Sequence, residues 1–347
     1  MNRDYWPTLD CQNVEPSSLG IDTEKLSELG AIILSQYNNV NGIVIVRKGC
    51  IVYENYYNGY GPDDTHHVAS VTKSIISALI GIALNEGYIE SVDQKVLDFF
   101  PEYISNPADI QKRAITIRHL LTMTAPYPFK NWSEPLERLS RQKDWVKYTL
   151  DMLGKNGKIG DFKYSSAGVH LLSAIITRAT GKSACEFANE YLFKPIGIKE
   201  IPDHEMKGFR LDDLFGKDVK GWVKDPDGNS TGGWGITLTP RDMARFGFLY
   251  LNDGVWNENQ IISKAWIKAS MEMNAKKTMI KNYYYGYLWW LTEENGVSAY
   301  SAIGHGGNII SCIPEKDLVI AIASKIIAKP RDIWQLIKNY ILPAIKG

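Results

Sequence analysis

Short runs of β-branched and aromatic residues lie towards the two ends of this chain and not in its middle, and that separation limits the possible folds more than any other feature. Gly42 to Arg47 (GIVIVR) and Ile51 to Tyr57 (IVYENYY) flank Lys48-Gly49-Cys50, a hairpin signal. Strand-like runs return at Tyr284 to Leu291, Tyr300 to Gly304, Asn308 to Ile313 and Leu318 to Ser324. From Val71 to about Gly235 the apolar residues recur at helical spacing instead, with further helices expected at Thr23 to Tyr37, after Thr239-Pro240, and at Ile333 to Ile345. Ser183 to Glu186 and Thr239 to Asp242 have the spacing of capping boxes. Strands kept apart from helices predict an α+β fold, an antiparallel sheet flanked by helices with an inserted all-helical lobe. On this reading residues 1–86 and 236–347 form the sheet lobe and residues 87–235 the mainly helical one, with a site at their interface.

Composition narrows the function. Lys plus Arg and Asp plus Glu number 39 each, so the net charge is zero and neither nucleic acid nor an anionic membrane is an expected partner. Apolar residues make up 44% and charged residues 22%, ordinary globular proportions. The longest apolar stretch, Ile75 to Leu84, is half of the roughly 20 residues a spanning helix needs, so no transmembrane segment is expected. The N-terminal sequence has no apolar secretion signal, which gives a cytoplasmic expectation. Cys11, Cys50, Cys185 and Cys312 are far apart and read as free thiols.

Ser70-Val71-Thr72-Lys73 is an S-x-x-K spacing, which by itself says little. With 22 serines and 28 lysines in 347 residues about two are expected by chance, and the chain has two, the other being Ser140 to Lys143. Ser70 differs in opening an apolar helix, where a spacing of three puts both side chains on one face. A serine hydroxyl needs a nearby base, and a desolvated lysine can be one. The competing reading is an ordinary N-cap serine with Lys73 reaching to water. Tyr164 stands at an element boundary after a glycine-rich loop, and Gly304-His305-Gly306-Gly307-Asn308 interrupts a strand pair, as glycines do where backbone approaches a ligand.

The order Ser-x-x-Lys at a helix start, Tyr164-Ser165-Ser166 at the edge of a helical insert and His305-Gly306-Gly307 on a late strand resembles the serine β-lactamase and penicillin-binding-protein superfamily. Its class C branch, with esterases, D-aminopeptidases and 6-aminohexanoate-dimer hydrolases, is the nearest pattern. Ile115 to Met123 (ITIRHLLTM), Gly232 to Gly247 and Tyr285 to Trp290 support the likeness. It implies that Ser70 is the acylated nucleophile, Lys73 its proton acceptor or electrostatic partner, and Tyr164 the general base and acid. It also implies an oxyanion hole from the backbone N–H groups of Ser70 and Asn308, and substrate contacts from Ser166, His305, Gly306 and Gly307, with no metal or cofactor. Ser166 falls where β-lactamases usually have Asn, and His305 where they have a Lys. Both departures favour a small-molecule ester or amide over a β-lactam, with β-lactamase or D,D-peptidase as the alternative and a non-catalytic acyl- or peptide-binding member as another. Tyr283, Tyr284, Tyr285, Tyr287, Trp289 and Trp290 are as apt to line an acyl pocket as to be core. A metal site built on His66, His67, His119, His170 or His204 is disfavoured because no H-E-x-x-H spacing exists, and an α/β-hydrolase because G-x-S-x-G is absent.

Overall fold

The computed structural model describes residues 15–103, 106–130, 133–208, 210–274, 278, 280, 282–294 and 296–346. Cys11 lies outside them; Cys50, Cys185 and Cys312 are free thiols.

The expected strands form one seven-stranded antiparallel sheet. We label them β1 (Val40–Arg47), β2 (Cys50–Tyr56), β3 (Tyr283–Tyr285), β4 (Trp290–Glu294), β5 (Val297–Gly304), β6 (Asn308–Ile313) and β7 (Leu318–Ser324), in the spatial order β2-β1-β7-β6-β5-β4-β3. The two ends of the chain meet at its centre, where Ile43 faces Ile322 and Ile45 faces Ile320. These central strands are buried throughout, which accounts for their continuous apolar sequence: helices cover both faces of the sheet. Alternate side chains divide between two cores. Val44, Val46, Val319 and Ala321 pack with α1 (Val71–Asn85) and α3 (Pro240–Leu251), whereas Ile43, Ile45, Ile320 and Ile322 pack with the N- and C-terminal helices.

α1 is mostly apolar, and it is buried on every side from Val71 to Ala83, Lys73 included. α2 (Ser166–Thr180) packs against it and ends at Gly181, whose φ of +73° suits the left-handed C-terminal position. Both expected capping boxes are formed, at Ser183 with Glu186 and at Thr239 with Asp242.

Three expectations need correction. Tyr284 to Leu291 is not one strand: β3 and β4 are separated at Gly286–Trp289, where Leu288 has φ +61° and a Cβ on Gly286 would lie 2.0 Å from the Ser270 carbonyl oxygen. Aromatic residues continue through that turn, so composition hides it. Thr23 to Tyr37 divides at Glu28 into Thr23–Ser27 and Leu29–Gln36, and Val92 to Phe100 yields only one tight turn, Val96–Phe99. Among the described residues no helix is long and apolar enough to cross a membrane.

Candidate active site

Ser70 directly precedes α1, with φ −71° and ψ −2°. The residue before it, Ala69, has φ +50°, a left-handed conformation disfavoured for alanine. Three bonds hold it there: its N–H donates to His67 Nδ1 at 3.1 Å, and its carbonyl accepts the Thr72 hydroxyl at 2.7 Å and the Thr72 N–H at 3.2 Å. The Ser70 hydroxyl does not cap the helix. Lys73 Nζ donates to it instead, at 2.9 Å.

Lys73 does not reach water, being 1% exposed. Its ammonium spends its three protons on Ser70 Oγ, Ser166 Oγ (3.0 Å) and the Gly233 carbonyl (2.6 Å). Burial lowers its pKa to about 7, against the opposing pull of Glu134. It is therefore divided between charged and neutral forms near neutrality. The second S-x-x-K shows none of this: Ser140 Oγ donates to the Glu137 carbonyl of its own short helix.

Tyr164 is 8% exposed, stacked on Trp290 at 5.8 Å, with Lys73 Nζ 4.8 Å from its ring centroid. Burial pushes the phenol pKa up, and a hydrogen bond with the Ser70 side chain draws it back. The next turn begins α2, where Ser165 Oγ accepts the Gly168 N–H at 2.9 Å. Ser166, at the head of the helix, is buried with its hydroxyl on Lys73. The glycine pair Gly232-Gly233 lies directly on this turn: a Cβ on Gly233 would be 2.5 Å from Ser166 Cβ. His170 secures the same segment, accepting the Gly232 N–H at 3.4 Å through Nδ1 while Nε2 sits 2.9 Å from Asp225 Oδ2.

The turn carrying His305, Gly306 and Gly307 is brought to the Ser70 side by close packing of Gly304, where a Cβ would be 2.2 Å from the Val68 carbonyl oxygen and 3.2 Å from Ala69 Cβ. Gly306 and Gly307 have φ of +89° and +92°. The Asn308 side chain, fully buried, ties the turn down, with Nδ2 donating to the His305 carbonyl at 2.8 Å and Oδ1 accepting the Ser324 N–H at 2.9 Å. Asn39 Nδ2 and Ser324 Oγ donate to the Gly306 and Gly307 carbonyls. His305 is exposed. Beside the turn lies a cavity of about 960 Å³ whose lining includes Asn39, His66, His67, Phe215, Ser324 and Lys325.

Ser70, Lys73, Tyr164 and Ser166 thus form one hydrogen-bonded group. Of the aromatic residues considered for an acyl pocket, Tyr285, Tyr287, Trp289 and Trp290 are core, and Tyr283 and Tyr284 are half-buried. The histidines considered for a metal have other partners: His119 closes a cap with Thr116, and His170 pairs with Asp225. Sequence reasoning missed Glu134, whose carboxylate takes three hydrogen bonds from the Ser165 hydroxyl and the Ser166 and Ala167 N–H groups. It also missed the Gly233 carbonyl, signalled only by the paired glycines.

The family model described as Beta-lactamase matches residues 34–332, and the chain belongs to that family. Within it, the chain is 24% identical over 298 residues to the 6-aminohexanoate-dimer hydrolase of Paenarthrobacter ureafaciens, covering 81% of this chain and 71% of that one. Solved structures share the fold. The octameric penicillin-binding protein homologue from Pyrococcus abyssi matches with a TM-score of 0.69 at 21% identity, over 92% of this chain and 77% of that one. A family VIII carboxylesterase matches with a TM-score of 0.67 at 17% identity, over 92% and 97%.

Proposed function

We propose that this chain is a serine hydrolase that forms an acyl-enzyme on Ser70 and cleaves ester or amide bonds. The observation that carries the reading is the buried Lys73 ammonium on the Ser70 hydroxyl, with a pKa brought near neutrality. In its neutral form Lys73 accepts the Ser70 proton as Oγ bonds to the substrate carbonyl carbon. The phenol of Tyr164, kept protonated by burial, relays a proton to the leaving group as the carbonyl re-forms. Water then repeats the sequence on the acyl-enzyme. The backbone N–H groups of Ser70 and Asn308 hold the oxyanion, each worth about 3–4 kcal/mol at the transition state. Ser166, His305, Gly306 and Gly307 contact substrate. The division into residues 1–86 with 236–347 and residues 87–235 belongs to the same proposal, Ser70 and Asn308 coming from one part and Tyr164 and Ser166 from the other. The hydrolase and carboxylesterase names among the similar proteins support an amide or ester substrate.

Intact-protein mass spectrometry after treatment with a fluorophosphonate tests this directly. One adduct, mapped to Ser70 and lost in Ser70→Ala, is expected. Folded protein that takes no adduct would instead favour a member of the family that binds an acyl or peptide ligand without turnover.

A further inference from the structure

We propose that Glu134 is a positioning residue of this site, pinning the first turn of α2 and setting a negative charge against Lys73 so that Ser166 and Tyr164 keep their places around the ammonium. The inference rests on the reading that Lys73 serves Ser70.

The geometry is specific. Glu134 Oε2 accepts the Ser166 N–H at 2.6 Å, while Oε1 accepts the Ala167 N–H at 2.7 Å and the Ser165 hydroxyl at 2.9 Å. Each of these partners is a donor, so the site is built for the carboxylate anion. An anion is also what the surroundings lack. Lys73 lies in the first turn of α1 and bonds to the first residue of α2, so an ammonium meets the positive ends of two 15-residue helices. Three like charges or partial charges converging without a counter-charge would expel the lysine or leave it neutral. Glu134 is the charged group that acts on both Lys73 and Tyr164. The other groups facing this cluster are Ser70, Ser166, the Gly233 carbonyl, and the phenols of Tyr164, Tyr127 and Tyr285, all neutral near pH 7. Burial raises the Glu134 pKa, opposed by its three donors and by Lys73.

The sign follows from that placement. Glu134 favours the charged lysine, so removing its charge lowers the Lys73 pKa. Titration of Lys73 by NMR in protein carrying ¹³Cε-lysine, with Lys73→Arg to assign the resonance, reads this without any substrate. A midpoint about one unit lower in Glu134→Gln is expected, with an intermediate value in Glu134→Asp, which retains the charge on a shorter arm. Where turnover is measurable, the acid limb of kcat/KM moves down by the same amount. A Lys73 midpoint unmoved or raised in folded Glu134→Gln overturns the proposal and leaves Glu134 a helix cap. Should that variant not fold, Glu134→Ala, which also removes the charge, is titrated in its place, and a Lys73 midpoint unmoved or raised there overturns the proposal. A chain with no turnover at all would refute the hydrolase reading while the titration still judged Glu134.

Discussion

Ala69 holds a left-handed conformation next to Ser70, at a cost of about 1–2 kcal/mol that the chain tolerates where the Ser70 hydroxyl is turned away from its own helix and towards Lys73. Lys73 carries a larger cost. Its pKa is about 7 in the folded chain against 10.4 for an ordinary lysine, so between those values the unfolded chain binds a proton that the folded chain does not. Folding stability therefore rises with pH across that window; the cost is full below it, where both states are protonated and the folded chain buries the charge, and is gone above it. Urea midpoints measured from pH 7 to 9.5 are expected to climb in wild type relative to Lys73→Met. Parallel curves would mean that the lysine titrates normally. If Lys73 is the base proposed above, kcat/KM for a neutral ester rises with pH through a limb near 7 as Lys73 becomes neutral. A profile flat from pH 5 to 8 would remove Lys73 from the base role.

At the scale of elements, the end of β5 fits against the segment leading into α1 only because residue 304 has no side chain. Gly304→Ala puts a methyl group 2.2 Å from the Val68 carbonyl oxygen, two residues from Ser70, so either the strand end or the helix entry shifts. The expected result is a folded protein about 1–3 kcal/mol less stable and at least tenfold lower in kcat/KM. Retention of wild-type kcat/KM would show that the turn at residues 305–307 is not set by this contact. Caps, the hairpin and the apolar helices were legible in sequence because each is encoded within a few residues. So was the Ser70 to Lys73 spacing, which is one turn of helix. Glu134 and Gly233 were not, since they reach Lys73 and α2 from distant segments and neither belongs to a periodic pattern. The break at Gly286–Trp289 escaped for a different reason: its cause is the Ser270 carbonyl, supplied by another helix.

Across the whole molecule, if the turn at residues 305–307 closes the proposed site, His305 stands where the resemblance puts a permanent cation in β-lactamases, and Ser166 offers a hydroxyl where it puts an amide. With a hydroxyl and an imidazole at these two positions, a neutral acyl group should be handled better than an anionic lactam. A higher kcat/KM for nitrophenyl butyrate than for nitrocefin is expected, and the reverse order would favour the β-lactamase alternative. The pairing of β1 with β7 has a consequence for how such a chain is made. After Arg47 leaves the ribosome, the entire helical region must be translated before Leu318 emerges to complete the centre of the sheet, which at about 5–20 residues per second takes tens of seconds. For most of that interval α1, which the finished fold buries from Val71 to Ala83, has none of the cover that β5 and β6 later provide. Nascent chains stalled short of residue 318 are where chaperone engagement and aggregation should concentrate.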